Sequence, residues 1–177
     1  MATTPSIACI GVIGKQDNPL LITVFPPHQD SELEFHFMLN SCLDIFEIRQ
    51  NNKAIDQDLG LLQAIDERLA MYGWLTNTGV KFMIIVDMAG KPARAEGAWG
   101  KNAPVQGLRD ADLKPAFRAL QTAYIHLLQN PFFTPDDLAP HAVATRPDSG
   151  PSAITSQKFI KEVKRIGDVW APGIASV

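Results

Sequence analysis

The sequence predicts an α+β fold in three layers: a five-stranded antiparallel sheet with one helix on one face and two on the other. Three observations predict it. Ser6–Gly14 and Val80–Asp87 are apolar on both alternating faces, the pattern of strands covered on both sides. Short connections with turn chemistry join the strands within each group, which suits antiparallel neighbours. The order strand, strand, helix, three strands, helix, helix then gives a hairpin, a crossover helix and a meander, with the first and last strands central.

The first strand is SIACIGVIG, Ser6 to Gly14. Lys15–Pro19 supplies a turn, and Leu20–Phe25 returns as a hairpin partner until Pro26-Pro27, which cannot donate to a ladder, stops it. From Ser31 the period becomes helical and runs to about Gln50, with Ser31 and Glu34 at capping-box spacing. Leu61–Ile65 and Arg68–Thr76 read as strands around an Asp66-Glu67 turn. Asn77-Thr78-Gly79 leads into the last strand, where Val80, Phe82, Ile84 and Val86 share one face and Met83 and Ile85 the other. Ala89–Gly107 is rich in Gly, Ala, Pro and polar residues and reads as an inserted loop. A helix starts near Asp110–Asp112, with Pro115 tolerable only in its first turn. Leu113, Phe117, Leu120, Tyr124 and Leu127 form its apolar stripe, and Asn130-Pro131 ends it. Residues 134–152 form a Pro-rich linker. The last helix, about Ile154 to Gly167, buries Phe159, Ile160, Val163 and Ile166.

A length of 177 residues corresponds to one domain, here 1–177, large enough to bury a core without staples. Net charge of −3 argues against a general nucleic-acid binder, which needs excess Lys and Arg. No apolar run is long enough to span a bilayer, and the apolar start lacks the cationic flank of a signal peptide. Two cysteines, Cys9 and Cys42, lie inside apolar runs, which suits a soluble protein of the reducing cytosol.

Catalytic chemistry is not written in the chain. Gly11–Lys15 and Gly97–Lys101 lack the spacing and the Ser or Thr of a phosphate loop. His28, His36, His126 and His141 are scattered as ordinary surface residues. Glu32 and His36 alone do not make a zinc site, and no metal or other cofactor is expected. Neither cysteine has a cationic neighbour to activate it. Asp110 and Asp112 fit helix capping.

The first helix is the informative element. Phe35, Met38, Leu39, Cys42, Ile45 and Phe46 gather on its sheet side. Leu33, Phe37 and Ile48 point the opposite way, beside Asp44. A simple amphipathic helix carries charges there; an apolar outer face marks a partner-contact surface. Lys158, Lys161, Lys164 and Arg165 lie on or beside the polar side of the last helix and read as a solvated face, the alternative being contact with an anionic membrane surface or an acidic partner.

From Leu59 to Asp87, LGLLQAIDERLAMYGWLTNTGVKFMIIVD resembles the sedlin family of trafficking protein particle (TRAPP) complex subunits. IACIGVIGKQDNPLLI, ELEFHFMLNSCLDIFE and LRDADLKPAFRALQTAYIHLLQNPFFTP agree in order. Tyr72-Gly73 and Val80-Lys81-Phe82 look most like the 2-like branch, while Asn130-Pro131-Phe132-Phe133 is shared broadly. The resemblance covers most of residues 6 to 135. It implies a longin-like (sedlin) fold and a non-enzymatic adaptor in a tethering complex that activates Rab-type GTPases by nucleotide exchange. The traffic it implies runs between endoplasmic reticulum, Golgi and endosomes. It further implies other TRAPP subunits as partners, and membrane association only through the complex. Asp44 matches an acidic residue in the Leu-Asp motif of the family's first helix, near a subunit-contact surface. The 89–107 insertion and the 134–152 linker depart from the family pattern.

An alternative reading is a stand-alone profilin-like domain that holds a lipid or nucleotide under the 89–107 loop, with Trp99 in the lid.

Overall fold

Both faces of the middle strands are covered, so the sheet divides the protein into two cores. The computed structural model describes residues 3–51, 57–92, 108–133, 154–174 and 177. Trp99 and most of the predicted insertion, the 134–152 linker and His141 lie outside them. The strands are β1 (Thr3–Ile13), β2 (Pro19–Val24), β3 (Asp58–Ala64), β4 (Leu69–Leu75) and β5 (Lys81–Pro92), in the order β2-β1-β5-β4-β3, all antiparallel. The first and last strands are therefore internal, as the sequence predicts. β5 runs on to Pro92, so the predicted insertion gives its first residues to the sheet, and β3 begins earlier than expected, at Asp58.

Phe82, Ile84 and Val86 of β5 face one core, and Met83 and Ile85 the other. In β1 the alternation is not strict. Ile7, Ile10 and Val12 enter the first core, whereas Ala8, Cys9 and Ile13 enter the second. The β1–β5 register shifts between Ile7 and Cys9, and this bulge changes the phase of the pleat.

Two helices, α3 (Asp110–Leu128) and α4 (Gln157–Val169), cover the first core with Leu113, Phe117, Leu120, Tyr124, Phe159 and Val163. Phe117 stacks on Trp74 with ring centroids 5.6 Å apart, and burial of side chains this large supplies most of the cohesion. Asp112 returns to the Arg109 N–H at 3.0 Å, so the acidic start of α3 does cap the helix. The Trp170 indole N–H donates to the Asp112 carbonyl at 3.0 Å and ties the end of α4 to the start of α3.

The single helix predicted over residues 31–50 is two helices, α1 (Glu32–Ser41) and α2 (Leu43–Asn51), covering the second core. The break falls at Cys42, whose N–H bonds the carbonyl of Leu39, three residues back, at 3.3 Å. The expected Ser31 cap is not made. A 3₁₀ turn over His28–Ser31 precedes α1, and Ser31 has φ −103° and ψ 24° instead of the extended backbone of an N-cap.

Both margins of the sheet are occupied. At β2 the Ile154 N–H donates to the Leu20 carbonyl at 2.8 Å. At β3 the Arg49 guanidinium, reaching from α2, donates to the Leu59 carbonyl and, at 2.7 Å, to the Leu61 carbonyl. Open strand edges invite pairing with other chains, and these contacts take up part of each edge.

Candidate partner-docking face

The inner side of α1 and α2 is set by Phe35, Leu39, Cys42 and Phe46, each no more than 1 % exposed, with Met38 and Ile45 half-buried. Anchoring that side forces the opposite one outward. Leu33 is 70 % exposed, Phe37 67 % and Ile48 60 %, and Asp44 is exposed with them. Apolar side chains this bare, and this close in sequence, contrast with the buried positions such residues usually take.

Leu33 and Phe37 border a depression of about 260 Å³ whose other walls include Ile13, Pro19, Ile22 and Leu43. The β1–β2 hairpin supplies three of those walls, so the depression is a cleft between helix and sheet margin. Periodicity along the helix reveals Leu33 and Phe37 but carries no information on these hairpin residues. Asp44 and Ile48 lie on α2 and do not line the cleft. The structure thus divides the four predicted contact residues between a cleft pair on α1 and an exposed pair on α2.

The electrostatics of this face are acidic. Asp30, Glu32, Glu34, Asp44 and Glu47 are all exposed on the 3₁₀ turn, α1 and α2. His36 lies 3.7 Å from Glu32, one helical turn away, and neutralises it when protonated. At the cleft mouth, Asp17 pairs with Lys81, a lysine only 8 % exposed.

His28 is not the ordinary surface residue expected from sequence. Its Nε2 meets Asp87 Oδ2 at 2.8 Å, and its ring packs edge-on against Phe35 at 5.6 Å between centroids. Asp87, 1 % exposed, also accepts from Arg68 at 2.9 Å and from the Ala89 N–H at 2.8 Å. Burial pushes its pKa up, but the donors from His28, Arg68, Ala89 and Gly90 outweigh it and hold the carboxyl below the usual range. This cluster pins the entry of α1 to the sheet and thereby positions the docking face.

Burial pushes the Cys9 thiol strongly upward, reinforced by the charge of Glu32, and burial raises that of Cys42, so neither is a ready nucleophile. Among the described residues, no group of three or more His, Cys, Asp or Glu side chains is placed to hold a metal ion. No helix among them is long and apolar enough to cross a membrane.

Comparison with known proteins agrees with this fold. The Sedlin family profile matches residues 12–169. A trafficking protein particle complex subunit 2-like protein of Dictyostelium discoideum is 31 % identical over 165 residues, spanning 90 % of this chain and 95 % of that protein. The mouse protein of the same description is 35 % identical over 135 residues, 73 % of this chain and 84 % of its own length. That of Xenopus tropicalis is 32 % identical over the same number of residues. A family profile covering most of the chain, with relatives matched over nearly their whole length, establishes that the chain belongs to the sedlin family.

Proposed function

We propose that this chain is a non-enzymatic assembly subunit of a TRAPP-type tethering complex, held in place through the outer face of α1 and α2. The observation that carries the reading is the exposure of Leu33, Phe37 and Ile48 beside Asp44, on helices whose inner side is fully engaged. Bare apolar side chains with carboxylates nearby have the composition of a protein–protein interface. The names of the relatives support membership of a multisubunit complex. In this reading the chain works in the cytoplasm, peripheral to Golgi and endoplasmic-reticulum membranes, and meets them only through the complex. The complex promotes nucleotide exchange on a Rab GTPase in ER–Golgi and endosomal traffic, and the chain contributes architecture to it.

The test is reconstitution with sister TRAPP subunits on a sizing column. Co-elution with at least one of them, lost in a Phe37→Ser, Ile48→Ser variant that still folds, supports the reading. A chain that remains a monomer beside every subunit overturns it.

A further inference from the structure

A second concave surface lies on the opposite side of the sheet. Between α3 and α4 runs a cleft of about 630 Å³, floored by Ala119, Ala123, Leu127 and Phe159. Its volume falls in the range of ligand clefts, ~300–1,000 Å³. The exposed Thr122, His126, Lys158 and Arg165 form its borders and Val177 also lines it, so it is an open trough and no closed cavity. An apolar floor between two polar borders is the kind of groove that receives the apolar side of a third helix.

The borders state which helix. α4 carries four Lys and Arg residues against two acidic ones. Glu162, the carboxylate in the trough, is engaged by Arg165, whose Nε donates to both of its oxygens at 3.1 Å. Lys158, Lys161 and Lys164 stand exposed alongside. This face is therefore basic, whereas the α1–α2 face is acidic, and the two select different partners by charge. A flat anionic bilayer would meet the lysines but leave the recessed floor unfilled.

We infer that the α3–α4 trough is a second docking site, receiving an amphipathic helix of a partner protein that carries carboxylates along the edges of its apolar stripe. The trough shape specifies the helix, and the excess of Lys and Arg over carboxylates on α4 specifies its acidic flanks.

The experiment uses the full chain and two hydrocarbon-stapled helical peptides of about 14 residues, matching the ~20 Å length of α4. Both share one leucine–alanine stripe; one has glutamate flanks and the other lysine flanks. Fluorescence anisotropy is expected to show the glutamate peptide binding at least ~10-fold more tightly. Lys158→Glu with Lys161→Glu is expected to reverse that preference. Thr122→Trp, at an exposed border position, is expected to weaken both peptides, while Glu67→Gln in the exposed β3–β4 turn leaves them unchanged. Equal affinities, absence of binding, or indifference to the charge reversal overturns the proposal. So does retention on phosphatidylserine vesicles, abolished by the charge reversal, with no peptide bound. Because assembly through α1–α2 is read separately by co-elution, failure of either site leaves the other testable.

Discussion

His28 and Asp87 are 59 residues apart in the chain, yet His28 Nε2 and Asp87 Oδ2 lie 2.8 Å from one another at the junction of α1 and β5. The contact clasps the 3₁₀ turn that leads into α1 to an internal strand.

Replacing Asp87 by Ala should cost about 1–3 kcal/mol at neutral pH, because the buried carboxylate that accepts from His28, Arg68 and the Ala89 N–H is lost. The sign with pH follows from the lowered folded pKa of this carboxyl. Its stabilisation is complete above the unfolded value near ~3.9 and is lost as pH falls through the folded pKa. Urea melts of wild type and variant from pH 7 to pH 2.5 should show a gap that narrows below about pH 4. A constant gap would show that the carboxylate charge contributes nothing.

Arg49→Met should lower stability by about 1–2 kcal/mol, since the two carbonyls of β3 exchange a cationic donor for water. The variant should also self-associate as its concentration is raised, because the strand margin is now free. Light scattering across a dilution series measures this, and an unchanged monomer would contradict it.

Gly73→Ala tests the packing under α2. A Cβ at this position would lie 2.6 Å from Leu62 Cδ1 and 2.8 Å from Phe46 Cζ, and the Phe46 ring is fully enclosed. Overpacking of this kind costs about 1–3 kcal/mol. Denaturant midpoints should register the loss, and a neutral substitution would show that the second core yields more readily than its burial implies.

Asp44→Tyr should leave the melting temperature of the isolated chain nearly unchanged, within about 0.5 kcal/mol, because the site is exposed. Binding to sister subunits should fall, since a rim carboxylate contributes orientation and partner choice. Calorimetry of the lone chain beside co-elution of the mixture separates the two effects, and equal losses in both would refute the division.

Sheet order, the two-sided burial of β1 and β5 and the bare side of α1–α2 were legible in the sequence because each is periodic. The break at Cys42 was not. The tightened turn there leaves Phe35, Leu39, Cys42 and Phe46 all on the sheet side, so the apolar pattern passes through it unaltered. The clasp at Asp87 and the Arg49 lock were invisible for another reason. The first spans 59 residues and the second joins neighbouring elements through a side chain, and a lone histidine or arginine carries no local mark of such a partner. Half of the cleft escaped similarly, since Ile13, Pro19 and Ile22 belong to the hairpin and not to the helix. The acidic start of α3 was read correctly because capping is a short-range matter.

β1 is flanked on one side by its hairpin mate and on the other by β5, whose residues come some seventy positions later. During synthesis the opening hairpin must therefore wait with an entire flank unzipped until the ribosome has delivered the fifth strand. For that interval the unpaired flank of β1 is exposed, and any pause between Thr76 and Pro92 lengthens its exposure.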